Sequence, residues 1–193
     1  MQQKIEMAPI LLDPRGVVDA NATPAAQRKC ELDGLRLAVL DNSKWNANKL
    51  LRGASSALAE RIHLAAVNYY VKHSFSKDAA RELIDEIARE NDIVLTAIGD
   101  CGSCCSCCIR DAVALERLGL PSAAVITTEF VGESELTKLA LGMPGLRTVV
   151  IEHPVSSITA AEIERRIAEI IVKAQDVWLG CAAEKSPAGP LKP

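Results

Sequence analysis

Five short apolar segments follow one another along the chain, separated by segments with helical periodicity. They have the sequences LRLAVLDN, LAAVNYYVKH, DIVLTAIG, SAAVITTEF and RTVVIEHP, and they begin at residues 35, 64, 92, 122 and 147. Apolar residues fill these segments almost continuously, which is typical of strands that are covered on both faces. Strands that alternate with helices pair in parallel, because each helix carries the chain back across the sheet.

This alternation predicts an α/β fold, with a doubly wound, five-stranded parallel sheet that has helices on both faces and is flavodoxin-like. Ser76 is placed to cap the second helix. Thr159 and Glu162 form a capping box at the start of the last helix.

The predicted α/β unit is one domain that spans residues 35–180 of the 193. Residues 1–34 contain several prolines and a turn signal, which predicts an irregular N-terminal arm. Residues 181–193 contain three prolines and are expected to form a mobile tail.

Ligands of such sheets bind outside the carboxyl ends of the strands, at a topological switch point. This rule selects the residues that can meet in one site. They are Asp41–Lys44, Lys72–His73, Asp100–Cys108, Thr127–Glu129 and Glu152–His153.

Five of the seven cysteines lie within residues 101–108, in the sequence GDCGSCCSCCIRD that follows the third strand. We call residues 101–108 the cysteine segment and predict that it is a loop.

A ferredoxin-type run would need a fourth cysteine at Asp111, so that match fails. The C-x3-C-x2-C spacing of Cys101, Cys105 and Cys108 is that of radical-SAM enzymes, but those carry it after their first strand. Structural zinc normally needs two ligand pairs well apart in sequence. No resident metal is predicted, although the segment could scavenge a labile one.

A redox or nucleophilic role suits the segment better. Cys101 and Cys104 form a C-x-x-C pair where a strand meets a helix, and a helix N-terminus favours thiolate over thiol. Cys104 lies nearer the helix start, so we expect it to feel the dipole more strongly. A second thiol three residues on can attack a mixed disulfide and release a product. Packing of small apolar side chains explains Cys30 and Cys181, but not five cysteines in one short segment.

The sequence GDCGSC, with LERLGLP after it, resembles the UGSC family of small selenoproteins and their cysteine homologues. LDNSKWNA at residues 40–47 and the dipeptide His153–Pro154 resemble the same family. More distantly, the chain is similar to the B subunit of the glycine and betaine reductases. That subunit has a U-x-x-C-x-x-C loop, in which Cys101, Cys104 and Cys107 would take the three places.

The resemblance implies a nucleophile at Cys101, where family members often carry selenocysteine, acting in reductive or carbon–heteroatom bond chemistry. Which neighbouring thiol resolves the adduct stays open. Lys44 could lower the thiol pKa or bind a substrate carboxylate, and His153 could donate a proton. The predicted catalytic residues are Cys101, Cys104, Cys105 and His153, with Cys107 and Cys108 as further thiols. The predicted substrate-binding residues are Asp41, Asn42, Ser43, Lys44 and Glu129.

The expected function is that of a cysteine-dependent enzyme acting on a small polar molecule. The alternative is a carrier of persulfide sulfur or of a soft metal for a partner enzyme. An external dithiol, such as a thioredoxin-like protein, is the expected reductant. Nucleotide motifs such as G-x-G-x-x-G are missing, so neither flavin nor nicotinamide is predicted.

Composition excludes further classes of function. A formal net charge of −3 and 3% aromatic residues disfavour nucleic-acid binding. The sequence has neither a secretory signal nor a run of about 18 apolar residues, so we expect no membrane partner and a cytoplasmic location.

Overall fold

A computed structural model of the protein describes residues 20–180, so residues 1–19 of the predicted arm and the predicted tail at 181–193 lie outside the described part. Five parallel strands form one sheet in the order β2-β1-β3-β4-β5. The strands are β1 (Arg36–Asp41), β2 (Ala66–Val71), β3 (Ile93–Gly99), β4 (Ser122–Thr127) and β5 (Thr148–Ile151). The predicted doubly wound parallel sheet is confirmed.

Helices cover both faces of the sheet, as predicted. They are α1 (Ala47–Arg61), α2 (Arg81–Glu90), α3 (Gly102–Arg117), α4 (Val131–Ala140) and α5 (Ala160–Trp178), with a short 3-10 helix at Thr128–Phe130. Helices α1 and α5 enclose one apolar core together with the sheet, and α2, α3 and α4 cover the other face in two smaller clusters. Among residues 20–180 no helix is long and apolar enough to cross a membrane.

Local sequence signals give the ends of some helices correctly and of others wrongly. The capping box of Thr159 and Glu162 is confirmed at the start of α5. Ser76 does not cap α2, which begins at Arg81 after Ala80. The reason is tertiary, because the buried Lys72 ammonium holds the carbonyl of Lys77 at 2.8 Å and keeps that segment in a loop.

The cysteine segment is a second correction. It is not a loop, because α3 already begins at Gly102 and includes four of the five cysteines. Cys101 is the N-cap of this helix. The prediction missed the helix because thiols are not the usual capping groups.

Residues 20–34 have no regular secondary structure and lie along the α/β body. Thr23 donates a backbone hydrogen bond to Gly142, and Lys29 pairs with Leu179 beyond the end of α5. The described part of the predicted arm is therefore packed onto its own domain.

Candidate functional site

The strand order changes direction between β1 and β3, which opens a crevice at their carboxyl ends. Asn42 closes the base of this crevice. Its backbone N–H donates to the carbonyl of Ala97 at 3.1 Å, and its side-chain amide donates to the carbonyl of Ile98 at 2.9 Å. The loop after β1 is thereby fixed against the end of β3, directly before the cysteines.

Gly99 lets the start of α3 lie close to the sheet. A Cβ on Gly99 would lie 2.9 Å from the Cα of Cys105 and 3.0 Å from the Cγ2 of Ile126. Any larger residue would push the helix away, so this glycine sets how near the thiols of α3 come to the crevice.

Two thiols form the capping box of α3, in place of the usual hydroxyl and carboxylate. The Cys101 sulfur accepts from the backbone N–H of Cys104 at 3.3 Å, and the Cys104 sulfur accepts from the backbone N–H of Cys101 at 3.0 Å. The two sulfurs lie 2.7 Å apart. A disulfide needs about 2.05 Å, so only a small movement separates the two thiols from one.

The two thiols of this pair have opposite pKa shifts. Burial opposes ionisation of Cys101, but hydrogen bonds from the thiol and backbone N–H of Cys104, and from Lys44, lower its pKa to about 7. Burial raises the pKa of Cys104 to about 12, and its hydrogen bond to Cys101 adds to this. The prediction that the helix dipole favours the thiolate of Cys104 is wrong, because Cys104 is buried and keeps its proton, which it donates in a hydrogen bond to the Cys101 thiolate.

Lys44 connects the loop after β1 to the sulfur pair. Its ammonium lies 2.8 Å from Asp100 Oδ1 and 3.5 Å from Cys104 Sγ. Burial acts against this ammonium, but the hydrogen bonds to Asp100 and Cys101 raise the pKa of Lys44 above its ordinary value. Lys44 therefore stays positively charged beside the thiols.

Asp100 forms an ion pair with this lysine and is itself fixed by a hydrogen bond from Ser156. Its side chain is 1% exposed, and its second oxygen accepts from the hydroxyl of Ser156 at 3.0 Å. The sequence predicted Asp100 at this edge of the sheet but gave it no role, and it did not point to Ser156. Asp100 could have been given a role because it precedes Cys101 in the motif, whereas Ser156 lies in a loop after β5 that only the fold brings near.

The side chains of the other predicted substrate-binding residues in the β1 loop make hydrogen bonds that hold the loop in its conformation. Both carboxylate oxygens of Asp41 accept hydrogen bonds at 2.7 Å, one from the backbone of Ser43 and one from the hydroxyl of Tyr69. Ser43 donates to the carbonyl of Lys72 at 2.6 Å. Ser43 and Asn46 both have a φ of 63°, which costs free energy for residues other than glycine. These contacts sustain a strained turn that points Lys44 at Asp100.

The remaining cysteines of the segment point away from the sulfur pair. Cys105 donates to the carbonyl of Phe130 at 3.5 Å, and burial raises its pKa to about 12. Burial likewise raises the pKa of Cys107 and of the fully buried Cys108. These three thiols are protonated near neutral pH.

His153 and Glu129 lie on the β4 and β5 side of the crevice. His153 Nδ1 lies 3.1 Å from the hydroxyl of Thr127, and the ring packs edge-on against Phe130. That hydroxyl also donates to the carbonyl of Gly99 at 3.4 Å. Glu129 is exposed. Within residues 20–180 neither side chain has a hydrogen bond to a thiol of the segment, so their catalytic and binding roles stay predictions.

A comparison with protein-family models matches residues 10–180 to the UGSC family. The chain belongs to the UGSC family. The motif that gives the resemblance, from Cys101 to Cys104, is the thiol capping box at the start of α3. The likeness to the B subunit of the glycine and betaine reductases stays a prediction.

No curated protein matches the chain. Among solved structures it is similar to the lactose-specific IIB component domain of the phosphoenolpyruvate:carbohydrate phosphotransferase system from Streptococcus pneumoniae. The identity is 12%, the match covers 75% of this chain and 95% of the other, and the TM-score is 0.29.

Asp100, Cys101 and Cys104 of this UGSC protein are the described residues that could hold a metal ion, since their ligand atoms lie within 4.8 Å of one another. The Lys44 ammonium lies between two of them, 2.8 Å from Asp100 and 3.5 Å from Cys104. A bound metal would have to displace this cation. The group therefore fits a thiolate stabilised by lysine better than a metal centre.

Proposed function

We propose that this protein is a cysteine-dependent enzyme in which the Cys101 thiolate attacks an electrophilic centre of a small polar molecule. The observation that carries the proposal is the asymmetry of the sulfur pair. Cys101 is partly exposed and its pKa is lowered to about 7, while burial raises the pKa of each of the other four thiols of the segment. Reactive cysteines are accessible and low in pKa.

The first step is a displacement at carbon. The Cys101 thiolate forms a sulfur–carbon bond, the bond from that carbon to a heteroatom breaks, and the heteroatom leaves with the electron pair. The Lys44 ammonium keeps the attacking sulfur ionised through its hydrogen bond to Cys101. It also stabilises the charge that moves onto the leaving group.

The second step releases the carbon. Cys104, 2.7 Å from Cys101, attacks the Cys101 sulfur and gives up its proton, and a disulfide forms as the sulfur–carbon bond breaks. The carbon keeps both electrons of that bond and takes up a proton, so the substrate gains two electrons and the two cysteines lose two. This step needs a carbon that can carry negative charge, for instance one next to a carbonyl group. An external dithiol then reduces the disulfide by thiol exchange.

Two serine variants test the order of the sulfurs. We expect Cys101→Ser to abolish turnover of the protein's substrate. We expect Cys104→Ser to allow one attack and to retain the substrate carbon on Cys101, because no neighbouring thiol can release it. Intact-mass spectrometry with peptide mapping locates the adduct. Cys105→Ser is the control, since that thiol faces Phe130 and should leave turnover intact. Full activity of Cys101→Ser, or an adduct on Cys104 in native protein, would reverse the assignment.

A carrier of persulfide sulfur or of a soft metal is the second candidate. It is favoured by the closeness of the ligand atoms of Asp100, Cys101 and Cys104. Mass spectrometry of protein purified without reductant separates the two. A mass increase of one sulfur atom, or a bound metal, supports the carrier, whereas a plain disulfide between Cys101 and Cys104 supports the enzyme.

A further inference from the structure

A pocket opens at the carboxyl edge of β1, and it shares Lys44 with the surroundings of the sulfur pair. Its volume is about 370 Å³, which suits a small molecule. It lies between the loop after β1 and the first turn of α1. Its walls are formed by Asp41, Ser43, Lys44, Trp45, Asn46, Asn48 and Lys49.

Lys44 is shared by this pocket and by the sulfur pair. It forms part of the pocket wall, and its ammonium is hydrogen-bonded to Asp100 and to the thiols of the capping box. Phe75 packs on the same ammonium, with 5.1 Å between the nitrogen and the ring centre. Lys44 therefore belongs both to the pocket wall and to the surroundings of Cys101.

Most acceptors of the pocket wall are already satisfied by the protein. The oxygens of Asp41 accept from Ser43 and Tyr69, and this residue is 4% exposed. The side-chain oxygen of Asn48 accepts from the backbone N–H of Lys49 at 2.8 Å. A ligand thus meets few acceptors on this wall.

Donors and one positive charge remain available on the same wall. Within residues 20–180 no carboxylate lies within ion-pair distance of Lys49, and the amide nitrogen of Asn48 has no hydrogen bond to a protein group. Trp45 is 71% exposed, so its indole N–H and its ring are open to a ligand. A wall with free donors and an unpaired ammonium attracts an anion.

We infer that this pocket binds the carboxylate of a small organic acid, with Lys49 as its ion-pair partner and Asn48 and Trp45 beside it. The inference rests on the proposed function, because the other end of the acid then offers its electrophilic carbon to Cys101. The substrate class is a small carboxylic acid that carries a leaving group on an electrophilic carbon. Lys49 determines specificity.

Two matched alkylating probes test this inference on the intact protein. Iodoacetate carries a carboxylate and iodoacetamide a neutral amide, and both react in the same way. The thiolate sulfur binds the methylene carbon and iodide leaves with the electron pair. Peptide mapping gives the rate of each probe at Cys101 and, in the same molecules, at the exposed Cys30. We expect the ratio of the iodoacetate rate to the iodoacetamide rate to be higher at Cys101 than at Cys30.

Substitution of Lys49 distinguishes an ion pair in the pocket from the general electrostatic attraction of the protein for an anion. We expect Lys49→Gln to lower this ratio at Cys101 by about threefold, the effect of one exposed ion pair. Lys49→Arg should retain the ratio. Lys77→Gln is the control, because it removes the same charge from an exposed residue of the β2 loop that does not line the pocket. An unchanged iodoacetamide rate shows that each variant keeps the sulfur site intact.

The outcomes distinguish the two proposals. If iodoacetamide alkylates Cys101 no faster than Cys30, the proposed function is wrong. A normal iodoacetamide rate with no preference for iodoacetate, or an equal loss in Lys77→Gln, overturns the carboxylate pocket alone. Acetate should also slow the alkylation of Cys101 by iodoacetamide more than inorganic phosphate does at equal ionic strength. No slowing by acetate, or stronger slowing by phosphate, overturns the assignment to a carboxylate.

Discussion

Cys101 and Cys104 have the same side chain and lie at the same end of α3, yet their positions give them different chemistry. Cys101 is the N-cap and remains partly exposed, whereas Cys104 lies in the first turn and is buried. Two sulfurs 2.7 Å apart cannot both carry a charge at neutral pH. The exposed sulfur therefore keeps the charge, and the buried one keeps the proton that stabilises it.

The charge of Lys44 should affect how the alkylation rate of Cys101 depends on pH. In the native protein we expect alkylation of Cys101 to rise with pH through about 7, because the thiolate reacts and its pKa is lowered to about 7. In Lys44→Met the hydrogen bond of the ammonium is lost, so the midpoint should move upward by about one pH unit. Lys44→Arg should restore part of the shift, and Lys77→Met should leave the midpoint unchanged. A midpoint unaffected by Lys44→Met would show that the capping box alone activates the thiol.

The sequence predicted that Lys44 and the cysteines of the segment lie at one edge of the sheet, but not the contacts that hold them there. The Cys-x-x-Cys spacing and the position after a strand are local signals, so they can be read along the chain. The contact of Asp100 with Ser156 joins residues 56 positions apart. This contact arises only from the packing of the loop after β5, so no local sequence pattern predicts it.

At the scale of the element, the start of α3 is flanked by two glycines that differ in their surroundings. Gly99 ends β3 where a Cβ would press on the backbone of Cys105 at 2.9 Å. Gly102 begins the helix, and a Cβ there would have no atom within 4 Å. The first glycine is required by space, while the second lies where a helix former is preferred.

Alanine at these two positions should have opposite effects on stability. We expect Gly99→Ala to lower the free energy of unfolding by about 2 kcal/mol, since the helix must shift to admit the methyl group. Gly102→Ala should leave it unchanged or raise it by up to about 1 kcal/mol. Urea unfolding measures both. Gly99→Ala should also slow alkylation of Cys101, because displacement of the helix disturbs the capping box. Equal stability of the two variants would contradict the close approach of α3 to the sheet.

Alternation of strands and helices could be predicted because both faces of the sheet are apolar and the strand segments are nearly continuous. The start of α2 and of α3 could not. The start of α2 depends on a side chain that lies outside the helix, and the start of α3 depends on side chains that are not usual capping groups. Lys72 holds the loop before α2, and two thiols replace the usual capping residues of α3.

At the scale of the whole molecule, Glu116 joins three separate parts of the chain. It lies near the end of α3 with its side chain fully buried. One carboxylate oxygen accepts from the backbone of Ala26 at 2.7 Å, and the other accepts from Arg28 and from the backbone of Ser122, each at 2.7 Å. A buried carboxylate with these partners fixes residues 20–34 against the beginning of β4.

Removal of this one charge should therefore loosen the arm and weaken the whole domain. We expect Glu116→Gln to lower the free energy of unfolding by about 3 kcal/mol, because Arg28 is left without its partner in a buried place. Hydrogen exchange at the amide of Ala26 should become faster, since that amide loses its charged acceptor. Asp85→Asn is the matched control. It removes the same charge from the exposed pair of Arg81 and Asp85, and should cost no more than about 0.5 kcal/mol. If both variants unfold at the same urea concentration as the native protein, Glu116 does not anchor the arm.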